Sequence, residues 1–218
     1  MKEYKIGIIE DSPDELKAII RTIYENLHTI CNVSYVDYSC NLNCNNIVEK
    51  IKNDITDSKI MLLIIDNKLL VKDKCVIGTS IYEEIKKITS DFPVIIMTNY
   101  RDEAYKSDYV DPDKVYDKEK FFMNGEYTKE KINSIRLTME NYNKIKNEII
   151  SRQKKIIDEY TSQKNAADAQ EKLNEILELD LEIKKYTPVE TSYLEQLISP
   201  NRVKHVFDLL KEMNDMLD

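Results

Sequence analysis

The chain has 218 residues, a formal net charge of −8 and a pI near 5.0, a balance that argues against nucleic acid or an anionic membrane as a general partner. Three glycines are too few for a Gly-rich phosphate loop, and no G-x-x-x-x-G-K pattern occurs. No apolar run approaches the roughly 20 residues of a membrane span. The N-terminal MKEYKIGIIEDS breaks at two acids without a secretory core, so a soluble cytoplasmic protein is expected.

The length suits one domain or two small ones. Of the four cysteines, Cys31, Cys40 and Cys44 lie near His28 and Cys75 stands apart. A zinc site would need His28 with the first three. The paired C-x2-C knuckle is missing, and scattered reduced thiols are the expectation.

YKIGII (4–9) reads as a first strand and ends in Glu10-Asp11-Ser12. Ser12 can cap a helix whose first residue is Pro13. Asp14 and Glu15 favour the same helix start, and Leu16, Ile19, Ile20, Ile23 and Leu27 recur at helical spacing. VSYVDY (33–38) alternates as a second strand. An Asn-rich connection leads to a helix around 44–57 carrying Ile47, Val48, Ile51 and Ile55.

The third strand, 60–65, is an unbroken apolar run stopping at Asp66, the pattern of a strand buried on both faces of a parallel sheet. A long loop, NKLLVKDKCVI, reaches Gly78, where Thr79 or Ser80 caps the next helix over Ile81, Ile85 and Ile88. FPVIIMTN (92–99) is a fourth strand ending in Thr98, with Pro93 at an acceptable first position. Tyr100 to Val110 leaves room for one weak helix, and a short fifth strand over 114–117 ends at Lys118.

Five strands alternating with helices predict an α/β fold with a five-stranded, doubly wound parallel sheet over 1–127. Ligands of such sheets bind at the carboxyl ends of the strands. Those ends offer Glu10 and Asp11, then Asp66, Thr98 and Lys118. Three close carboxylates repel one another, and a divalent cation removes the problem; Mg²⁺ suits a site of few carboxylates and several waters. With a lysine and a hydroxyl nearby, the set suits transfer of a phosphoryl group to a carboxylate oxygen.

IGIIEDSPDEL, IIDNKLL, VIIMTN and VYDK, in this order, resemble the receiver domain of bacterial response regulators over about residues 1–127. The resemblance implies a flavodoxin-like fold in which Glu10 and Asp11 bind Mg²⁺ (or Mn²⁺). Asp66 is then a ligand of the same ion and the acceptor of a phosphoryl group from a histidine kinase or phosphotransfer protein. It implies that Lys68 lends its backbone carbonyl to the metal and that Thr98 and Lys118 contact the phosphoryl oxygens. Such a chain is a phosphoacceptor and no stand-alone enzyme. It departs from the family pattern in the long Pro-free stretch from Asp66 to Gly78, in Glu119 after the lysine, and in Val115 where an aromatic is usual.

Residues 128–218 read as an α-helical extension. Thr128 caps a long helix with Ile132, Ile135, Met139, Tyr142, Ile149 and Ile156 at heptad positions interrupted by Lys146 and Gln153. It runs toward residue 160, and about 32 residues would reach roughly 48 Å. TSQKNAADAQ (161–170) bends it or joins it to a return helix carrying Leu173, Ile176, Leu177, Leu181 and Lys184. Cap-Pro pairs at Thr187-Pro188 and Ser199-Pro200 introduce two short helices, the last with Val203, Val206, Phe207, Leu210 and Met213.

Residues 129–155 carry 8 basic and 3 acidic residues, and 156–218 carry 7 and 14. The basic residues are spread round the helix, so a solvated face is preferred to nucleic-acid binding. The expected output is protein–protein interaction: phosphorylation of Asp66 switches a coiled-coil module that binds a helical partner or itself as a homodimer. The alternatives are a degenerate, unphosphorylated receiver acting as a scaffold and, third, a DNA-binding regulator.

Overall fold

The computed structural model describes residues 3–39, 46–71, 74–162 and 166–188. The chain divides into two compact units, Met1–Glu148 with Lys185–Pro188, and Ile149–Lys184 with Val189–Asp218.

The first unit is α/β. Strands β1 (Glu3–Ile9), β2 (Asn32–Asp37), β3 (Leu62–Ile65), β6 (Val94–Thr98) and β7 (Val115–Asp117) form one parallel sheet in the order β2-β1-β3-β6-β7. The alternation of runs predicted the parallel, doubly wound sheet, and the strand order is the flavodoxin-like one that the resemblance implied. Every residue of β3 and β6 is buried, whereas β2 at the edge alternates.

Successive strand residues feed two cores. Ile9, Leu63, Ile65, Val94, Ile96 and Val115 pack with Ile51 and Ile55 of α2 (Ile47–Thr56) and Ile81, Tyr82 and Ile85 of α3 (Gly78–Ile88). Ile6, Ile8, Leu62, Ile64, Ile95, Met97 and Tyr116 pack with Ile19, Ile23 and Leu27 of α1 (Pro13–Leu27). Phe121 of α5 (Lys118–Phe122) and Ile132, Ile135 and Met139 of α6 (Glu126–Ser162) complete that second core. Ser12 caps α1 as expected, its side chain accepting from the Glu15 N–H, with Pro13 at the first turn. A four-residue α4 (Arg101–Ala104) and a 3-10 turn (Pro112–Lys114) precede β7.

Four sequence expectations are corrected. The long loop after Asp66 is an antiparallel ribbon, β4 (Lys68–Val71) with β5 (Lys74–Ile77), because two short segments rich in strand formers pair with each other. Neither Thr79 nor Ser80 caps α3, which begins at Gly78. The Thr79 N–H instead donates to the Asn67 side-chain oxygen, so the capping oxygen comes from twelve residues upstream. Thr128 lies inside α6 rather than at its start, and its hydroxyl donates to the carbonyls of Lys120 and Phe121, closing the α5–α6 corner. That corner turns at Asn124, whose φ of 52° lies in the left-handed region.

The second unit contains the end of α6 and α7 (Ala166–Ile183). Ion pairs Arg152–Glu175 (2.8 Å) and Glu159–Lys172 (2.9 Å) match rising with falling residue numbers, so the two helices run antiparallel. The heptad residues Ile149 and Ile156 are buried, and so is Gln153. The fourth correction lies on α7: its buried stripe is Ile176, Leu179, Asp180 and Ile183, at i, i+3, i+4 and i+7, while Leu177 and Leu181 are exposed. Sequence alone could not choose between two adjacent apolar stripes on one helix.

The Ser199-Pro200 cap and the helices expected after Pro188, together with Cys40 and Cys44, lie outside the described residues. Among the described residues, no helix is long and apolar enough to cross a membrane.

Candidate functional site

Parallel register sets the site. Ile9 of β1 pairs with Ile65 of β3, and the Asp66 N–H donates to the Ile9 carbonyl at 2.9 Å. The next residues on two adjoining central strands, Glu10 and Asp66, are therefore neighbours. On the other side Thr98 of β6 pairs with Asp117 of β7, and Lys118 follows.

Lys118 is the centre of the arrangement. Its Nζ lies 2.8 Å from Glu10 Oε2, 2.6 Å from Glu15 Oε2 and 3.2 Å from Asp66 Oδ1. Glu10 and Lys118 are almost wholly buried, and Asp66 retains 8 % of its accessible surface. Glu10 also accepts from the Ser12 N–H, and Asp66 from the Asn67 N–H.

Burial dominates the titration of both acids. It pushes the Glu10 carboxyl up to about 7, against the opposing pull of the Lys118 ammonium. It pushes Asp66 up as well, again opposed by Lys118. For Lys118 burial acts downward, but the attraction of Asp66 and the bonds to Glu10 and Glu15 outweigh it and hold the ammonium above its usual range.

Six residues were expected at the site. Glu10, Asp66 and Lys118 are in direct contact. Asp11 and Lys68 line the same cleft of about 280 Å³ with Asp66, Glu15, Tyr100 and Lys118. Asp11 Oδ2 accepts from the Leu70 N–H at 2.9 Å, tying the β4–β5 ribbon to the loop after β1. The Lys68 side chain pairs with Glu103 at 2.8 Å and lies over the Tyr100 ring, 3.6 Å from its centroid. Thr98 is fully buried at the end of β6, and its hydroxyl accepts from the Tyr100 N–H.

Glu15 is the site residue that sequence reasoning missed. It reads there as one of two acids favouring the start of α1. The signal for more was its position one helical turn beyond Asp11, on the side of α1 that can face the strand tips.

Oxygens of Glu10, Glu15 and Asp66 lie within 4.8 Å of one another, one ligand atom from each. An all-oxygen set of this size fits a hard divalent cation such as Mg²⁺, and contains no soft donor that would favour zinc. Asp66, less buried than Glu10, opens on the cleft together with the more exposed Asp11 and Glu15. Comparison of the chain with protein-family models and with curated proteins finds no match.

Proposed function

We propose that the chain is a phosphoacceptor of the response-regulator receiver type, phosphorylated on Asp66 by a histidine kinase or phosphotransfer protein. The observation that carries the reading is the contact of one buried lysine, Lys118, with both Glu10 and Asp66 at adjoining strand tips. An Asp66 oxygen attacks the phosphorus of a phosphohistidine. The P–N bond breaks, its electron pair stays on the imidazole nitrogen, and that nitrogen takes a proton from solvent. The product is an acyl phosphate. Lys118 would neutralise charge on the incoming group, and Thr98 is the hydroxyl at the end of the neighbouring strand.

Glu10, Glu15 and Asp66 would hold Mg²⁺ (or Mn²⁺), with Asp11 and the Lys68 carbonyl as the further ligands expected from the sequence. The ion would supply neutralisation of the phosphoryl oxygens. The chain is then a switch in the cytoplasm and not a stand-alone enzyme. Its output is a helical module, α6 with α7, that binds a helical protein or a second copy of itself.

One observation favours a second reading, a silent receiver that serves as a scaffold. Lys118 contacts all three carboxylates and by itself offsets part of their charge. Intact-mass measurement after incubation with acetyl phosphate and Mg²⁺ separates the two. The first reading expects a single hydroxylamine-labile phosphate adduct in wild type and none in Asp66→Asn. An adduct elsewhere, or none, overturns it, and unchanged partner binding in Asp66→Ala would then support the scaffold.

A further inference from the structure

A second cleft, of about 360 Å³, lies beside Val94, at the other end of β6 from Thr98. This is within the usual range for small-molecule sites. Its apolar lining is Pro93, Val94, Ile95, Tyr142, Ile145 and Tyr186. The wall is fixed from two sides: the Tyr142 hydroxyl donates to the Tyr186 carbonyl at 3.0 Å, and the Asp91 N–H donates to the Lys185 carbonyl at 2.7 Å. Phe92 holds the Tyr142 ring edge-on at 5.5 Å between centroids.

Two ammonium groups line this cleft, Lys86 and Lys114. Lys86 Nζ donates to the carbonyls of Ser90 and Phe92, both at 2.8 Å. An ammonium has three donors, so these bonds fix its position and leave one proton for a ligand. Lys114, on the 3-10 turn, makes no ion pair among the described residues. The one carboxylate in the lining is Asp91, which is exposed and accepts from the Ser90 hydroxyl. Asn141 and Thr138 of α6 add neutral hydrogen-bonding groups.

We propose that this cleft binds a small aromatic monocarboxylate, its carboxylate against Lys86 and Lys114 and its ring on the Val94–Tyr142–Tyr186 surface. The lining itself carries two lysines and one aspartate, a single positive charge that a monoanion matches, while Asp111 acts on Lys86 from outside the lining. A doubly charged phosphate monoester would exceed that charge and face Asp91. Burial disfavours the Lys86 ammonium and Lys114 adds to this, while Asp91 and Asp111 favour it; a carboxylate beside Lys86 acts on the favourable side. The proposal is independent of phosphorylation at Asp66, since no residue of the two clefts is shared.

The test titrates sodium benzoate into the ¹⁵N-labelled full chain at constant ionic strength, with sodium phosphate and sodium chloride as parallel arms. Saturable shifts at the amides of Val94, Ile95 and Asn141 are expected with benzoate and not with chloride. Lys114→Ala should weaken that binding about tenfold or more while the melting temperature stays at the wild-type value. Asn141→Trp, which fills the cleft from α6, should abolish it. A saturable response that survives both substitutions, tighter binding of phosphate than of benzoate, or no response beyond that of chloride overturns the proposal.

Discussion

Gly78 sits so close to Asp66 that a Cβ built on it would overlap the Asp66 carbonyl oxygen and press on Ile65 Cγ2 at 2.9 Å. The β4–β5 ribbon leaves the sheet just after Asp66 and returns at Gly78, where the Gly78 N–H donates to the Asn67 carbonyl. The glycine is needed for this approach, since its φ is not positive. Gly78→Ala should therefore cost about 1–3 kcal/mol, as overpacking against backbone does, and displace the ribbon from the Asp66 cleft. Gly125→Ala, where a Cβ meets nothing within 4 Å, should leave stability unchanged within about 0.5 kcal/mol. Urea unfolding of both variants checks the contrast; equal effects would contradict it.

Lys118→Met removes the cation that, among the described residues, touches Glu10, Glu15 and Asp66 together. Leaving buried charge unpaired costs roughly 3–5 kcal/mol. The loss should be large at pH 8 and shrink toward pH 5, where the acids take up protons. Millimolar Mg²⁺ should restore part of it. A variant as stable as wild type at pH 8 in a chelating buffer would show that the cluster does not depend on this lysine.

The metal-free protein should lose stability as pH rises from about 4.5 to 7. Glu10 titrates near 7 in the fold against an ordinary 4.5, so the folded state holds its proton more tightly than the unfolded chain does. That contribution is complete below the ordinary carboxyl range and is lost as pH rises through about 7. Asp66 shifts in the same direction. The upward shift of Lys118 adds stability that persists through neutral pH and is lost only above the lysine range. The decline is on the order of 3 kcal/mol for Glu10. Denaturant melts in chelator across this range check it, and a stability that increases toward pH 7 would contradict it.

Gln153 is buried in the second unit, and its Nε2 has no hydrogen-bond partner among the described residues. A buried donor left unmet costs about 1–3 kcal/mol. Gln153→Leu should therefore raise the stability of the α6–α7 unit by about 1–2 kcal/mol, read from hydrogen-exchange protection of amides in α7. Lower protection in the variant would mean that the amide serves the packing as it stands.

Much of this architecture is legible in local pattern. The apolar runs of Leu62–Ile65 and Val94–Thr98 suit strands covered on both faces, and both are central in the sheet. Ser12-Pro13 announced α1, and the heptad spacing from Ile132 to Ile156 announced α6. These signals are short-range and repeat with the period of the element that carries them. The carboxylates at the strand ends were readable for the same reason: register fixes where a strand stops.

The tertiary structure decided which side chains meet. Lys118 and Glu10 are 108 residues apart, and their contact depends on the order of strands across the sheet, which no local spacing encodes. Glu15 turned from a helix-start acid into a cluster member because α1 leaves β1 at an angle set by its packing in the second core. Asp11 was drawn to Leu70 once the supposed loop paired with itself as a ribbon and presented a free N–H. A sequence states which groups are present at each strand tip. Which of them share a proton, an ammonium or a cation is a matter of distances of a few ångströms, and only the packed fold fixes those.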